Sequence, residues 1–217
     1  MSPFELVSLA LQYPDPEVLA ARSGAAEAAE SLPPSPARDA LRTFLAWWAH
    51  ERPDDLRRRY VETFDFSRRT ALDLTYYTYG DRRQRGLALV ALRRRYAAAG
   101  LELEGPELPD HLPVVLEFAA LDPLAGGELL AEFRPVIELL RLALERAGSP
   151  YAGLLTALCL TLPELQEDER AELQRLAREG PPGESVGLEP FAPPEAMPEP
   201  VRAGPAACAG AAQGVPR

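Results

Sequence analysis

The sequence predicts an all-α protein: a single-domain bundle of about eight to nine helices over residues 1–180, followed by a disordered tail over residues 181–217. Three observations support this. Apolar residues recur at spacings of three and four, and proline and glycine mark the ends of these periodic segments. No stretch alternates apolar and polar residues in the way that a half-exposed strand does.

In the first half, the predicted helices begin at capping signals. A first helix starts near Phe4 and closes at Tyr13-Pro14, and an alanine-rich second helix covers 16–30. Ser35-Pro36 supplies an N-cap followed by a proline at the first helical position. Pro53 is followed by two acids, which suit the positive end of the next helix.

That fourth helix places Leu56, Tyr60 and Phe64 at i, i+4 and i+8, which predicts one continuous buried stripe. A long helix is predicted from about Arg82 to Ala99. It ends at Gly100, because glycine accepts the left-handed backbone that follows many helices.

In the second half, a helix carries Val114, Phe118 and Leu121. The next helix is predicted over 128–147, with a kink near 131–134 because Pro135 lies inside it. Ser149-Pro150 opens another helix, and Pro163 starts a last, charged helix that ends at Gly180.

The segment from residue 181 onwards has a different composition. It holds nine Pro and five Gly, with Phe191 as its single aromatic residue. Such a segment buries too little apolar surface to offset the entropy of ordering, which is the basis for predicting a disordered tail.

The net charge is −10 and the sequence pI is about 4.8, which argues against nucleic acid as a partner. Residues 52–95 hold twelve Arg and six acids, whereas residues 100–122 hold six acids and no Arg. Two interpretations remain open. These are two ordinary solvated faces, or the acidic stretch forms a surface that receives a basic segment.

Marks of catalysis are absent from the sequence. It contains two cysteines, Cys159 and Cys208, and two histidines, His50 and His111, without metal-ligand spacing. Phosphate-binding and nucleophile motifs are missing. We therefore predict no catalytic residue, no metal and no bound cofactor. Without a basic leader or an 18-residue apolar run, we expect a cytoplasmic protein that does not insert into membranes.

Three segments differ from generic helix sequence: 60–66, 74–82 and 107–118. Six of the sixteen aromatic residues fall between positions 60 and 79. They form either a core cluster or the wall of a groove, since three tyrosines within 76–79 cannot all point inward on a helix. Asp110 either caps the following helix or contacts a partner together with His111.

The same segments carry a family resemblance. Y-V-E-T-F-D at 60–65, L-T-Y-Y-T-Y-G-D-x-R-x-R-G at 74–86 and E-L-P-D-H-L-P at 107–113 resemble the NarJ family. These are the nitrate reductase molybdenum cofactor assembly chaperones, or delta subunits, within the wider TorD-like chaperones. The resemblance spans roughly residues 1–165 and implies a TorD-like fold.

The resemblance also implies a function and a partner. Such a chaperone binds the N-terminal segment of the catalytic (alpha) subunit of respiratory nitrate reductase. It holds that subunit in the cytoplasm, competent for cofactor insertion, before membrane assembly. The molybdenum cofactor then belongs to the client. The chaperone is expected to be a monomer or a weak dimer.

We hypothesise that a client helix lies in a groove, with its apolar side chains on the aromatic cluster and its basic residues on the acids. The predicted client-binding residues are Tyr60, Phe64, Asp65, Tyr76, Tyr77, Asp81, Glu107, Asp110, His111, Glu117 and Phe118. The alternatives are a nucleotide-binding hydrolase that uses the Arg-rich stretch, a helical nucleic-acid regulator, and a chaperone for a different molybdoenzyme.

Overall fold

A computed structural model describes residues 1–103 and 105–180. Within these ranges the chain forms eleven α-helices and no strand, which confirms the predicted all-α class. The α-helices are α1 Pro3–Leu11, α2 Pro16–Glu30, α3 Pro36–His50, α4 Pro53–Tyr60, α5 Tyr76–Tyr79, α6 Arg83–Ala98, α7 Leu112–Leu121, α8 Pro123–Glu132, α9 Arg134–Arg146, α10 Tyr151–Thr161 and α11 Glu167–Glu179. A π-helix, Val61–Asp65, directly follows α4. The predicted disordered tail lies outside the described residues, so the tail and its boundary at residue 180 stay predictions.

Several predicted helix ends are confirmed in detail. The Ser35 hydroxyl accepts the backbone N–H of Arg38 at 3.1 Å, and Pro36 occupies the first turn of α3. Gly100 follows α6 with φ = 76°, a conformation that glycine adopts without strain. Ser149 differs from the prediction, since α10 starts after Pro150 without a side-chain cap.

The helix count exceeds the predicted eight to nine for two reasons. The short helix α5 was not predicted, and the helix predicted over 128–147 is two helices that meet at Phe133. Pro135 stands in the first turn of α9, where its missing N–H is tolerated, so the chain starts a new helix instead of kinking one. The last helix begins at Glu167 rather than Pro163, behind a capping box at Gln166.

The core lies between α3 and α10, with α2 packed on α3 and α9 packed on both α10 and α11. Trp48 and Tyr151 are among its largest fully buried side chains. Cys159 also lies in the core, as predicted, and burial raises the pKa of its thiol to about 12. Cys208 lies outside the described residues.

The helices α1, α7 and α8 form a second packed group. A Cβ atom at Gly126 of α8 would lie 2.2 Å from Cα of Ala119 in α7, so only glycine fits this crossing. The crossing fixes α7, and α7 carries part of the site described next.

Candidate functional site

A two-residue antiparallel bridge joins two of the three unusual sequence segments. The N–H of Leu74 donates to the carbonyl of Asp110 at 3.0 Å, and the N–H of Leu112 donates to the carbonyl of Leu72 at 2.9 Å. The segment that precedes α5 therefore lies against the segment that precedes α7. The sequence did not predict this pairing, because a bridge of this length has no periodicity to detect.

Asp110 is completely buried behind this bridge. One of its carboxylate oxygens, Oδ2, accepts the Thr75 backbone N–H at 3.0 Å and the Thr75 hydroxyl at 2.5 Å. Arg85 of α6 reaches the same oxygen at 3.4 Å. The proposed N-cap role of Asp110 is wrong, because the cap position of α7 is His111 and it provides no side-chain cap. Asp110 instead ties the turn before α5 to α6.

Asp73 and His111 extend this network towards the surface. Arg85 contacts Asp73 Oδ2 at 3.0 Å, and His111 Nδ1 lies 3.0 Å from Asp73 Oδ1. Burial alone would raise the pKa of Asp73, but the hydrogen bonds and charges of His111 and Arg85 outweigh it and lower that pKa. We call Asp73, Thr75, Arg85, Asp110 and His111 the buried network.

The other side of His111 lines an open cleft of about 540 Å³. We call it the acidic cleft, because four carboxylates and no arginine line it among the described residues. Its lining residues are Gln12, Tyr13, Asp15, Tyr60, Asp65, Leu103, Glu107, His111, Pro113, Val114 and Glu117. Asp65, Glu107 and Glu117 are exposed to solvent. This arrangement can attract and orient a basic segment.

An aromatic wall closes one side of the acidic cleft. Tyr13 and Tyr60 stack edge to face with ring centroids 5.5 Å apart, and Phe64 lies behind Tyr60 at 4.9 Å. The Tyr60 hydroxyl donates to the carbonyl of Leu11 at 3.0 Å, which fixes the ring. Burial, and secondarily the carboxylates of Asp65 and Glu107, raise the pKa of Tyr60, so it remains a neutral donor.

An apolar extension continues from the acidic cleft along α7. Val114, Glu117, Phe118 and Leu121 follow one another at spacings of three, one and three, so they share one helix face. With Tyr96, Leu101, Glu102 and Leu103 they line a smaller pocket of about 100 Å³, which shares Leu103, Val114 and Glu117 with the acidic cleft. Together the two pockets make a continuous groove with an acidic end and an apolar end.

The predicted site residues separate into two groups. Tyr60, Asp65, Glu107, His111 and Glu117 line the acidic cleft, Phe118 lines its apolar extension, and Phe64 supports Tyr60. The other four residues of the prediction, Tyr76, Tyr77, Asp81 and Asp110, do not line either pocket.

Three of these four residues are buried, and the fourth, Asp81, is exposed without lining either pocket. Asp110 and Tyr77 are buried, and the Tyr77 hydroxyl shares its proton between the carbonyls of Arg69 and Ala71 at 2.9 and 3.0 Å. Tyr76 is also buried, beneath the guanidinium of Arg85. Asp81 is exposed but lies in the turn before α6. Tyr76 and Tyr77, which were predicted as client contacts, do not line the acidic cleft; the aromatic residues that line it are Tyr13 and Tyr60.

Six residues that line the acidic cleft were not among the predicted site residues: Gln12, Tyr13, Asp15, Leu103, Pro113 and Val114. Tyr13 could have been recognised from the sequence. Pro14 is sufficient to end α1, so an aromatic residue directly before it indicates another role, such as lining a surface. Asp15 is the N-cap of α2, which explained it without reference to a site. Gln12 and Leu103 had no signal of their own.

Comparison with known proteins identifies the family. The family model for the nitrate reductase delta subunit matches residues 30–157, more than half of the chain. The chain belongs to the nitrate reductase delta-subunit family. The resemblance predicted from the three motifs is thereby confirmed.

Related sequences agree with this assignment. The chain is 32% identical over 170 residues to the probable nitrate reductase molybdenum cofactor assembly chaperone NarJ of Bacillus subtilis, covering 78% of this chain and 92% of that protein. It is 36% identical over 171 residues to NarJ of Escherichia coli K12, covering 77% and 72%. The names of these relatives describe assembly chaperones, in agreement with the chaperone role predicted for this chain.

Two further similarities bear on the extent of the protein and its fold. Nitrate reductase-like protein NarX of Mycobacterium tuberculosis is 39% identical over 159 residues, but the chain spans only 24% of the length of NarX. A solved structure from Archaeoglobus fulgidus, assigned as a redox enzyme maturation protein, superposes with a TM-score of 0.55 at 25% identity. The superposition covers 72% of this chain and 89% of that one.

Neither a metal-binding cluster nor a membrane-spanning helix occurs among the described residues. No cluster of three or more His, Cys, Asp or Glu side chains in that part of the chain could hold a metal ion. None of the described helices has both the length and the apolar character needed to cross a membrane.

Proposed function

We propose that this chain is a cytoplasmic chaperone for the catalytic (alpha) subunit of respiratory nitrate reductase. It binds the N-terminal segment of that subunit and holds the subunit competent for molybdenum cofactor insertion before membrane assembly. The cofactor belongs to the client. The observation that carries the proposal is the continuous groove, with its acidic and aromatic end and its apolar extension, in a chain related to NarJ proteins.

The groove is suited to an amphipathic helix. The apolar side chains of the client would pack on Tyr13, Tyr60 and the α7 face around Phe118 and Leu121. Leu121 is 70% exposed in the free chain, so its burial is available to drive binding. Burial of apolar surface contributes roughly 25 cal/mol per Å² before the costs of association.

The carboxylates supply orientation and specificity. Within the described residues, neither Asp65 nor Glu107 pairs with an arginine, so both are available to cations of a client. Glu117 is partly committed, because its Oε1 atom accepts hydrogen bonds from Ser8 at 3.0 Å and Gln12 at 3.1 Å. We therefore assign the main charge contacts to Asp65 and Glu107.

Calorimetric titration with a synthetic N-terminal peptide of the alpha subunit tests the proposal. We expect the double variant Asp65→Asn, Glu107→Gln to weaken binding by about five- to thirtyfold, since each of the two lost charge contacts is worth about 0.5–1 kcal/mol. The matched control is Glu128→Gln, Glu164→Gln, which removes two exposed charges that do not line the groove.

Two results would contradict the proposal. One is the absence of peptide binding by the wild-type chain. The other is equal affinity in the cleft variant and the control. A parallel titration with the N-terminal peptide of another molybdoenzyme addresses the alternative client, because a groove selected for nitrate reductase should prefer its own segment.

A further inference from the structure

Helix α6 presents an apolar ridge to solvent. Of its sixteen residues only Leu92 and Tyr96 are buried. On the opposite side, Arg83, Leu87, Val90 and Arg94 follow one another at spacings of four, three and four, which aligns them along the helix. Leu87 is 69% exposed and Val90 is 48% exposed. We call these four residues the α6 ridge.

Small residues flank the α6 ridge. Gly86, Ala91 and Ala97 are exposed on its two sides. Small side chains at these positions allow another surface to approach the helix backbone closely. Leu87 and Val90 would then project into that surface as knobs. An ordinary solvated helix face would carry long polar side chains at these positions instead.

The α6 ridge is also a basic surface on an acidic protein. Helix α6 contains no acidic residue, although the chain has a net charge of −10. Arg85 and Arg95 pair with carboxylates, but Arg83 and Arg94 lie within 4.0 Å of no carboxylate in the described part of the chain. The occupant of this ridge must therefore carry negative charge beside an apolar surface.

We propose that the α6 ridge of one copy docks in the acidic cleft of a second copy of this chain. The cleft is complementary to the ridge: it is concave, it carries four carboxylates, and Tyr13 and Leu103 provide apolar surface. Arg83 and Arg94 are about 16 Å apart along the helix axis, so they can reach carboxylates at separate points of the cleft. Pairing of two ridges is disfavoured, because it places arginines against arginines.

The pair is expected to be weak. Stable interfaces bury about 800 Å² on each partner, and a ridge of four residues covers less. We expect a dissociation constant in the range of roughly 0.1 mM. If the proposed function is correct, a client segment competes for the same cleft. Self-association and client binding would then exclude each other.

Sedimentation velocity from about 10 µM to 0.5 mM measures the association directly. We expect a concentration-dependent pair in the wild type and at least about tenfold weaker association in Arg83→Glu, Arg94→Glu. The matched control is Arg170→Glu, Arg178→Glu on α11. It has the same change in charge at two exposed arginines that lie outside the ridge and the cleft.

Charge exchange identifies the contact. Asp65→Arg, Glu107→Arg should also abolish the pair, and mixing this variant with Arg83→Glu, Arg94→Glu should restore a one-to-one complex. The proposal is overturned by a wild type that stays monomeric up to 0.5 mM, by a pair that persists in the ridge variant, or by failure of the mixture to associate.

A separate measurement keeps this proposal distinct from the proposed function. The ridge variant leaves the cleft intact, so it should bind the client peptide at least as tightly as the wild type. If the wild-type chain self-associates but does not bind the client peptide, the proposed function is wrong. If it binds the peptide but does not self-associate, only the pair is ruled out.

Discussion

The buried network and the acidic cleft lie on opposite sides of His111 and use acids of the same 107–118 segment in different ways. In the buried network, Asp110 is fully enclosed and its Oδ2 atom accepts from Thr75 and Arg85. In the acidic cleft, Glu107, three residues earlier, is exposed and lines an open surface. The comparison teaches that a carboxylate with several internal donors supports the fold, whereas one without them is available to a partner.

The largest expected effect comes from breaking the buried network. Asp110→Ala leaves the Thr75 N–H and the Arg85 guanidinium without their buried acceptor, and should lower the free energy of unfolding by about 3–5 kcal/mol. Urea denaturation measures this loss. The folded fraction should still bind client peptide with nearly unchanged affinity. A stable Asp110→Ala chain with weakened binding would place Asp110 at the client instead.

A steric substitution provides a destabilised chain whose charges are unchanged. Gly126→Ala forces a Cβ atom into Ala119 at the crossing of α7 and α8, and should cost about 1–3 kcal/mol. Because α7 carries the groove face, this variant shows how far peptide affinity depends on stability alone.

The matched control for this substitution is the neighbouring glycine. Nothing lies within 4 Å of a Cβ atom at Gly127, so Gly127→Ala should stabilise the chain by about 0.4–1 kcal/mol. Thermal unfolding measures the stability of both variants. An equal loss of stability in Gly126→Ala and Gly127→Ala would mean that α8 does not approach α7 as closely as the structure shows.

Helices were predictable from sequence because their signals are local. Ser35-Pro36, Pro53 and Gly100 mark ends that the structure reproduces, since capping and glycine conformation depend on adjacent residues. The split at Pro135 was underestimated, because the sequence does not show whether a helix bends or stops there.

The site was only partly predictable, because it depends on contacts between distant segments. Charge and aromatic density identified Tyr60, Glu107 and Glu117, and these side chains do line the groove. The same signals selected Asp110 and Tyr77, whose burial is set by the bridge between residues 72–74 and 110–112. No local pattern distinguishes the two outcomes.

The acidic cleft should show the opposite behaviour to the buried network. In Asp65→Asn, Glu107→Gln the free energy of unfolding should change by less than about 0.5 kcal/mol, because neither carboxylate has a hydrogen-bond or ion-pair partner to lose among the described residues. Peptide affinity should fall and become less sensitive to salt. Titrations at low and high salt test this. A large loss of stability would mean that these acids also support the fold.

An effect smaller than the loss of Asp110 concerns the pH dependence of the link between the two regions. The pKa of Asp73 is lowered in the folded chain, because His111 and Arg85 together outweigh the cost of burial. A lowered folded pKa stabilises the chain above the ordinary Asp value of about 3.8, and this contribution is lost as the pH falls through the folded pKa.

Asp73→Asn removes this contribution, so the variant should be less stable than the wild type at neutral pH by up to about 1 kcal/mol. The difference should shrink as the pH falls below about 3.8, because the carboxylate is protonated first in the unfolded chain and only at lower pH in the folded chain. Urea denaturation at several pH values measures both curves. If the stabilities of the wild type and Asp73→Asn changed in parallel with pH, the ionised form of Asp73 would not be stabilised by its partners. His111 would then belong to the acidic cleft alone.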